Sequence, residues 1–432
     1  MSLPENRTAG LTAIFIFLAG ISGAGLLIPR VVGSTLLISY FVAFFGYFWL
    51  SRGRLNIQLL ISTGLFARLI LFLKMPELSD DIYRFIWDGN LLQNGINPYI
   101  HLPENIRNQG LAGIDTELFV QLNSPNYYSV YPPFNQALFW LATYISESQL
   151  AQTNILRSVL LIADIGSLYF LGQIVKKNQL NANLPYWFFL NPLHILEVTG
   201  NMHFEGLVIF FLIVGIYYFD NSCIKSGLGF GLAIATKILP LIFIPTVFFR
   251  NTRTRGFKIV LIAGIISGLT FLPFLFSEAF TSMNSSLGLY FQKFEFNASI
   301  YFLLRKIGFW VKGYNIIGTL GPWLSLASFL AIVTISFVGN RRGWHLSKTM
   351  LFALSAYLLF TTTVHPWYIL PLIPLGLLSG FYYPLVWSLM VFITYLGYSK
   401  EGFELSLGWI ALEYVTVILT FSVELFKKYE TR

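Results

Sequence analysis

Residues 11–28 read LTAIFIFLAGISGAGLLI, an uncharged and almost wholly apolar stretch without a proline. An α-helix needs about 20 such residues to cross the hydrocarbon core of a bilayer. The stretch is longer than the apolar part of a secretory signal peptide, so we expect it to stay in the protein as a first membrane span. Its composition indicates a membrane protein from the start of the chain.

Apolar runs of similar length recur along the chain. The longer ones cover residues 36–50, 55–73, 155–175, 206–219, 259–276, 323–338, 350–364 and 407–425, and shorter or proline-interrupted ones cover 134–145, 187–198, 227–249, 300–311, 368–378 and 385–398. Lipid-exposed open sheets cannot satisfy their backbone hydrogen bonds, and a closed barrel would show short alternating segments instead. The sequence therefore predicts an all-α polytopic integral membrane protein, one domain over residues 1–432, with about 11–14 transmembrane or re-entrant helices.

The composition supports a membrane protein and excludes several other classes. Hydrophobic residues make up 55% of the chain and charged residues only 11%, against about 25% charged residues in an ordinary soluble domain. The net charge of +8 does not indicate nucleic-acid binding, because the basic clusters lie between apolar runs, as the positive-inside rule expects. A single cysteine, Cys223, excludes an internal disulfide and a cysteine-rich metal site.

The most polar part of the chain is a loop at about residues 75–131. Arg52 and Arg54 occupy the short turn before the third apolar run, which places that turn in the cytoplasm. The third run then carries the loop to the opposite side of the cell membrane, facing the periplasm or the exterior. A loop of this length in a compact protein is usually functional or disordered. It is therefore the first place to look for a site.

The beginning of this loop shows helical apolar spacing, at Ile82, Phe85, Ile86 and Gly89. This pattern predicts an amphipathic helix lying on the membrane. A strict up-and-down path does not fit the chain that follows. If the runs at 134–145, 155–175 and 187–198 all crossed, the basic pair at 176–177 would lie outside, so some proline-interrupted runs are expected to be broken or re-entrant.

Two adjacent carboxylates, Asp80 and Asp81, begin this helix. Ser79 as an N-cap with acids in the first turn would suit the helix dipole, and Arg84 would then be an ordinary ion-pair partner. Capping explains one acid better than it explains two. The alternative interpretation gives one aspartate the role of a general base that removes a proton from an acceptor hydroxyl, with Arg84 available to bind a phosphate.

Three polar breaks interrupt the apolar runs later in the chain. Asn201 and His203 lie in the first, where hydrogen bonds to substrate hydroxyls or phosphate compete with a plain polar turn and a less favoured metal site with Glu197 and Glu205. Lys237 precedes a proline and either snorkels to an interface or pairs with a lipid phosphate.

The third break contains His365 and Tyr368, and Pro366 disfavours helix at the residue before it. Asp164, inside an apolar run, needs a buried partner or a cavity, because a charge at that depth is costly. We therefore expect Asp164 to be structural or to line a substrate site.

Short motifs in a fixed order carry a family resemblance. They are Ser79-Asp80-Asp81-Ile82-Tyr83-Arg84, Gly95-Ile96-Asn97-Pro98-Tyr99, Tyr131-Pro132-Pro133, Asn191-Pro192, Gly200-Asn201, Thr236-Lys237-Ile238-Leu239-Pro240 and His365-Pro366-Trp367-Tyr368. With them the chain resembles the GT-C superfamily of polytopic glycosyltransferases. It is most similar to the bacterial and archaeal mannosyltransferase-type members, and more distantly to the enzyme that adds the first mannose to GPI anchors.

The resemblance implies a membrane enzyme that moves a hexose, mannose by analogy, from a polyprenyl-phosphate donor to an acceptor hydroxyl on a lipid or glycan. It implies a GT-C-type helical bundle with a large first outward loop, no cofactor and no divalent metal. Asp80 or Asp81 would be catalytic, and substrate would contact the residues Arg84, Tyr99, Tyr131, Asn201, His203, Lys237, His365 and Tyr368. Since a polyprenyl phosphate leaves readily, the protein would need one base and cationic groups, and no acid for the leaving group.

Two features differ from the family pattern. The acidic motif is Asp-Asp instead of Asp-x-Asp, and it follows three apolar runs instead of one. The choice of base between Asp80 and Asp81 therefore stays open at this point. A lipid or sugar transporter or flippase, and a glycan polymerase or ligase, are the alternative functions for a chain of this composition.

Overall fold

The chain folds almost entirely into helices in a computed structural model, which describes residues 7–52, 55–250, 253–272 and 278–430. Helices are expected, because a helix satisfies its backbone hydrogen bonds within its own segment and can be surrounded by lipid. In the first half of the chain the α-helices are α1 (Arg7–Ser22), α2 (Gly33–Arg52), α3 (Ile57–Leu69), α4 (Asp81–Gln93), α5 (Pro103–Ile106), α6 (Thr116–Val120), α7 (Pro133–Ile145), α8 (Gln149–Lys177), α9 (Leu184–Phe189), α10 (Pro192–His194) and α11 (Glu205–Tyr218).

The second half continues in the same way. Its α-helices are α12 (Cys223–Thr236), α13 (Ile244–Phe249), α14 (Arg253–Phe271), α15 (Glu278–Lys293), α16 (Ile300–Lys312), α17 (Ile317–Arg341), α18 (Leu346–Phe360), α19 (Leu372–Ser379), α20 (Tyr383–Met390) and α21 (Leu407–Glu430). Shorter 3₁₀ and π segments are Gly23–Leu27, Ile70–Leu73, Ile195–Gly200, Leu239–Phe243, Pro366–Ile369 and Val391–Gly397. One antiparallel hairpin of two-residue strands, β1 (Tyr398–Ser399) and β2 (Gly402–Phe403), precedes α21.

The helices fall into two length classes. Within the described residues, six are long and apolar enough to cross a membrane: Thr8–Leu27, Gly33–Arg52, Gln149–Lys177, Thr254–Phe271, Ile317–Arg341 and Leu407–Lys428. A seventh span results if the bent pair Pro192–Gly200 and Glu205–Tyr218 counts as one. The all-helical membrane fold is thus confirmed, and only some of the 11–14 expected transmembrane or re-entrant helices have the length of a full span. Most other apolar runs form helices of 10–17 residues, because prolines and polar residues interrupt them.

The first two spans pack closely through glycines. A Cβ atom on Gly20 would lie 2.2 Å from the backbone nitrogen of Ala43, and one on Gly46 would lie 2.6 Å from the backbone nitrogen of Phe17. Small residues that let two helix backbones approach are typical of helix pairs in membranes. Helices α1 and α2 therefore pack as a close pair.

The segment around residue 200 is bent sharply. The two helices on either side of it meet at 115°, and the first ends in a six-residue π-helical segment, Ile195–Gly200. Met202, fully buried, has a left-handed backbone with φ of +68°, which is costly for a residue with a long side chain. π-bulges and strained backbone occur preferentially at functional sites. The bend therefore indicates that the polar break around residue 200 is a candidate functional site.

The path of the chain between residues 133 and 177 bears on the side of the membrane at which Lys176 and Lys177 lie. A simple up-and-down count of the apolar runs placed them outside. Helix α7 has only 13 residues, about 20 Å at 1.5 Å per residue, and is not among the segments long enough to span. Helix α8 has 29 residues and carries Lys176 and Lys177 in its last turn. If α8 and the apolar segment Ile57–Leu73 both cross and α7 does not, both lysines fall on the same side as Arg52.

The outward loop is folded, and its first helix differs from the expectation in one respect. Helix α4 has the predicted apolar face, but Ile82, Phe85 and Ile86 are buried within the protein, and Gly89 packs against the backbone of Phe139 in α7. The helix is therefore covered by protein and does not lie on the lipid. Apolar periodicity fixes which face is covered, not what covers it.

Candidate active site

The two adjacent aspartates point in different directions. Asp80 precedes the first turn of α4, makes no capping hydrogen bond with its side chain, and accepts one from Arg30 Nη2 at 2.6 Å. Both side chains of this pair are about one-third exposed, at 29% and 34%. Asp81 is the first residue of α4, and its backbone N–H donates to Ser79 Oγ at 3.3 Å. Asp80 is therefore held at the rim by a cation, whereas Asp81 faces inward.

Asp81 lies among neutral hydrogen-bond donors and one distant lysine. Asn123 Nδ2 donates to Asp81 Oδ1 at 2.8 Å, and the Tyr131 hydroxyl also bonds to the carboxylate. Burial raises the pKa of the Asp81 carboxyl above its usual value, and the bonds from Asn123 and Tyr131 and the charge of Lys237 partly oppose that rise. The side chain is still 21% exposed, so an acceptor hydroxyl can reach it.

The polar break at residues 201–205 lies directly beside Asp81. His203 Nδ1 is 3.9 Å from Asp81 Oδ2, too far for a hydrogen bond, and its Nε2 is 3.4 Å from Glu197 Oε2. Glu197 also accepts from Asn201 Nδ2 at 3.1 Å and from the Tyr395 hydroxyl at 2.7 Å. The predicted residues Asn201 and His203 are thus brought to Asp81 by the bend after the π-helical segment.

Three stacked rings join this break to the third polar break. The His203 ring lies 3.6 Å from the ring of Trp367, and Trp367 lies 4.4 Å from His365 at an interplanar angle of 2°. Tyr368 meets the edge of His365 at 5.2 Å. Helix α18 ends before this segment, and His365 has an extended backbone as the proline after it requires. The stack places His365 on the Asp81 side of the bundle.

Lys237 completes the cluster. It follows α12 with an extended backbone, and its Nζ donates to Glu205 Oε1 at 2.6 Å. The lysine side chain is 21% exposed, and that of Glu205 is 2% exposed. The predicted interruption of the helix before Pro240 is confirmed, and the ammonium group of Lys237 does not snorkel away from the protein but is fixed by a buried carboxylate.

Two of the predicted substrate residues lie in the packing of the loop instead. Arg84 is buried, donates from Nε to Asp88 Oδ1 at 2.7 Å, and holds the carbonyl oxygens of Ser124 and Tyr127. The Tyr99 hydroxyl donates to the carbonyl oxygen of Tyr131 at 2.5 Å. Both residues fix the loop, which is what positions Asn123 and Tyr131 at Asp81.

The buried Asp164 is bound on both sides. Arg68 Nε donates to one oxygen at 2.7 Å, and His194 Nε2 lies 2.8 Å from the other. All three side chains are fully buried. Of the two expectations for Asp164, structural or lining a substrate site, this arrangement matches the structural one, since both carboxylate oxygens bind protein groups.

Several residues of the site were missed in the sequence. Arg30, Asn123 and Trp367 contact the acidic motif or the stacked histidines, and Arg157 contacts the backbone on both sides of them. Arg157 carried a usable signal, because an arginine inside an apolar run is as unusual as Asp164. Arg30 and Asn123 gave none, since nothing in the chain order connects them with Asp81.

Two carboxylates of the polar break have direct partners: Glu197 contacts His203, and Glu205 contacts Lys237. In the described part of the chain no group of three or more His, Cys, Asp or Glu side chains has the arrangement of a metal site. The contacts of His203 with Glu197 and of Lys237 with Glu205 give these acids partners of their own.

Comparison with known proteins places this site in a family. No curated protein and no solved structure matches the chain significantly. A sequence model described as alpha-(1->6)-mannopyranosyltransferase, N-terminal domain, matches residues 6–253, more than half of the chain. The matched part contains both aspartates, His203 and Lys237, and a mannosyltransferase family favours transfer over transport. The chain thus belongs to the alpha-(1->6)-mannopyranosyltransferase MptA/B family, membrane hexosyltransferases that move mannose from a lipid-linked donor to a glycan.

Proposed function

We propose that this chain transfers mannose from a polyprenyl-phosphate donor to an acceptor hydroxyl with Asp81 as the general base. The observation that carries this proposal is the difference between the two aspartates. Asp80 is paired with Arg30 at 2.6 Å, so its carboxylate is already engaged by a cation. Asp81 accepts hydrogen bonds from neutral groups and keeps an exposed edge, which suits a proton acceptor.

In this proposal the acceptor oxygen attacks the anomeric carbon of the mannose while its proton passes to the Asp81 carboxylate. The bond between the anomeric carbon and the phosphate oxygen breaks, and the polyprenyl phosphate leaves with the bonding electrons. The carboxylate also lies where it can stabilise positive charge that develops on the sugar ring. No proton needs to be given to the leaving group, because a phosphate ester oxygen is already stable as an anion.

The anionic leaving group needs a cation, and Lys237 is the best candidate. Its ammonium group is fixed by Glu205, is partly exposed, and is close enough to affect the charge state of Asp81. His365 lies across the stacked rings from His203, but burial lowers its pKa to about 3, so it can offer the phosphate a neutral N–H group and not a positive charge. Arg84 is a weaker candidate than Lys237, because its Nε and Nη1 bind Asp88 and the carbonyl oxygens of the loop.

The distribution of basic residues supports a site on the non-cytoplasmic side. Helices α2, α8, α17 and α21 carry basic residues in their last turns, at Arg52, Lys176, Lys177, Arg341, Lys427 and Lys428. The opposite ends of three of them adjoin the site: Arg30 before α2 contacts Asp80, Thr153 in α8 contacts Met75, and the hairpin before α21 contacts Arg30 through Tyr398. By the positive-inside rule the basic ends are cytoplasmic and the site lies outside.

The orientation can be checked by labelling. Asn105 is exposed in the loop, and Asn105→Cys in a Cys223→Ser background places one reactive thiol there. We expect an impermeant thiol reagent to label it in intact cells or spheroplasts. Labelling that appears only after permeabilisation would reverse the orientation.

The role of Asp81 is tested by two isosteric variants. We expect Asp81→Asn to lower kcat about 10²–10⁴-fold, the usual contribution of a general base. For Asp80→Asn we expect about fivefold at most, because an ion pair that is about one-third exposed contributes about 1 kcal/mol or less. The measurement is transfer of radiolabelled mannose from polyprenyl-phosphate mannose by purified protein, with thermal unfolding as a control for folding. A large loss in Asp80→Asn together with near-normal turnover in Asp81→Asn would overturn the assignment.

A further inference from the structure

The catalytic cluster is built from two backbone segments that are far apart in the chain. One leads from the end of Ile70–Leu73 to Asp81, and the other leaves the π-helical segment Ile195–Gly200 toward His203. Their side chains come within 3.9 Å of each other at Asp81 Oδ2 and His203 Nδ1. Little direct bonding connects the two segments, apart from a long contact of 3.4 Å between the Leu78 N–H and Asn201 Oδ1. Another interaction is therefore needed to fix the positions of the two segments relative to each other.

A single buried guanidinium bonds to both segments. Arg157 of α8 is 1% exposed. Its Nη1 donates to the carbonyl oxygen of Lys74 at 2.7 Å, its Nε donates to that of Thr199 at 2.9 Å, and its Nη2 donates to that of Gly200 at 3.2 Å. One side chain therefore bridges the approach to Asp81 and the last residues before the His203 turn.

The acceptors explain why an arginine is needed here. Thr199 and Gly200 end the π-helical segment, so their carbonyl oxygens lie at a helix terminus, where such groups lack partners within the helix and carry partial negative charge. The planar guanidinium can reach two acceptors on one side and a third on the other, which a lysine ammonium cannot do in a fixed geometry. Every acceptor of Arg157, including Asn154 Oδ1 at 3.0 Å, is a neutral oxygen.

This arrangement differs from the other buried arginine of the bundle. Arg68 in α3 is bonded to the carboxylate of Asp164 at 2.7 Å and to the carbonyl oxygen of Gly64, so its charge is compensated by a carboxylate. Arg157 uses its charge on backbone oxygens of two segments. One of these segments leads to Asp81 and the other leads to His203. The backbone that it stabilises includes the left-handed Met202, which must be held against its own strain.

We propose that Arg157 is a positioning residue for transfer, one that sets the distance between Asp81 and His203 by bonding the two backbone segments together. The inference rests on the proposed function, since it concerns the same site. Arg157 touches no substrate and acts through the geometry of the residues that do. Its loss should therefore appear in the chemical step and leave donor binding largely intact.

The test compares Arg157→Lys with Arg68→Lys, because both replace a fully buried arginine by a residue of equal charge. We expect Arg157→Lys to lower kcat about 10²-fold, the size of effect that a displacement of about 1 Å has on a reacting geometry, with donor KM changed less than about threefold. Arg68→Lys should lower the melting temperature while the folded protein keeps its kcat. Both are measured as mannose transfer per folded molecule in lipid nanodiscs.

A milder variant covers the case in which Arg157→Lys does not fold. Asn154→Ala removes the amide oxygen that orients the guanidinium and the bond from Asn154 Nδ2 to the carbonyl oxygen of Phe72 at 3.0 Å. We expect kcat to fall about tenfold, with donor KM again nearly constant. If kcat per folded molecule is unchanged in either Arg157→Lys or Asn154→Ala, or falls equally in Arg68→Lys, the positioning role is wrong. If wild-type protein transfers no mannose at all, the proposed function itself fails.

Discussion

Two buried polar groups of this membrane protein contain a carboxylate and a histidine, yet they differ in how completely the charges are matched. In the Asp164 group both carboxylate oxygens are bound, by Arg68 and His194, and every side chain is fully buried. In the Asp81 group the carboxylate is 21% exposed, and His203 stands 3.9 Å away without a hydrogen bond to it. A closed group of charges holds helices together, whereas an incompletely bonded one can take part in chemistry.

The largest effect on stability is expected when the carboxylate of Asp164 is removed, which tests whether the Asp164 group is only structural. Asp164→Ala leaves Arg68 buried without its partner, which typically costs about 3–5 kcal/mol. We expect a large fall in the melting temperature or failure to accumulate in the membrane. The remaining folded protein should transfer mannose at a normal kcat. A stable Asp164→Ala variant with lost turnover would place Asp164 in the chemistry and end the distinction.

Removing Lys237, the cation beside Asp81, should have an intermediate effect on activity. Lys237→Met combined with Glu205→Gln removes the lysine without leaving a buried carboxylate unpaired. Hydrogen bonds to charged groups contribute about 1.5–3 kcal/mol, so we expect donor KM to rise about 10–100-fold. The KM for the acceptor should stay within about twofold. Separate titrations of donor and acceptor measure this, and an effect confined to the acceptor would show that the phosphate is held elsewhere.

The smallest expected effect concerns pH. Asp81 must be deprotonated to act as a base, and burial raises its pKa, so kcat/KM should decline as pH falls, beginning above the range of an ordinary aspartate. The Asn123 hydrogen bond lowers the pKa of Asp81, so Asn123→Ala should raise it further and move the acidic limb to higher pH. Replacing Asp164, which already has two bonded oxygens, should leave the limb in place. A limb unchanged in Asn123→Ala would show that another group is titrating.

Much of the fold could be predicted because its causes are local. Apolar runs and the need to satisfy backbone groups within lipid dictate helices, and a proline after His365 or near Lys237 ends them. Length was less predictable. Helix α7 looks like a short span in the sequence, but it packs on α4 and does not have the length to cross. The covering of α4 by protein was hidden for the same reason, since periodicity does not distinguish lipid from a neighbouring helix.

The sequence predicted several residues that the structure brings together, Asp81, His203 and Lys237, but not which of the two aspartates faces inward. Asp80 and Asp81 are adjacent, so the local sequence does not distinguish their roles. They differ in distant partners: Asp80 binds Arg30, 50 residues earlier, and Asp81 lies near His203, 122 residues later. For Arg84 the local sequence offered two roles. Its partner Asp88 is one helical turn away, and this ion pair, which the sequence already allowed, competes with the predicted role in phosphate binding.

The shorter helices that end at the site have a consequence for the surrounding membrane. Helices α12 and α18 have 14 and 15 residues, about 21–22 Å along the axis, against about 30 Å of hydrocarbon. A bilayer that contacts helices this short can adapt by thinning, which would bring lipid headgroups closer to Lys237 and His365. If these residues receive the anionic headgroup of a lipid donor, as proposed above, we expect the transfer rate to depend on membrane thickness.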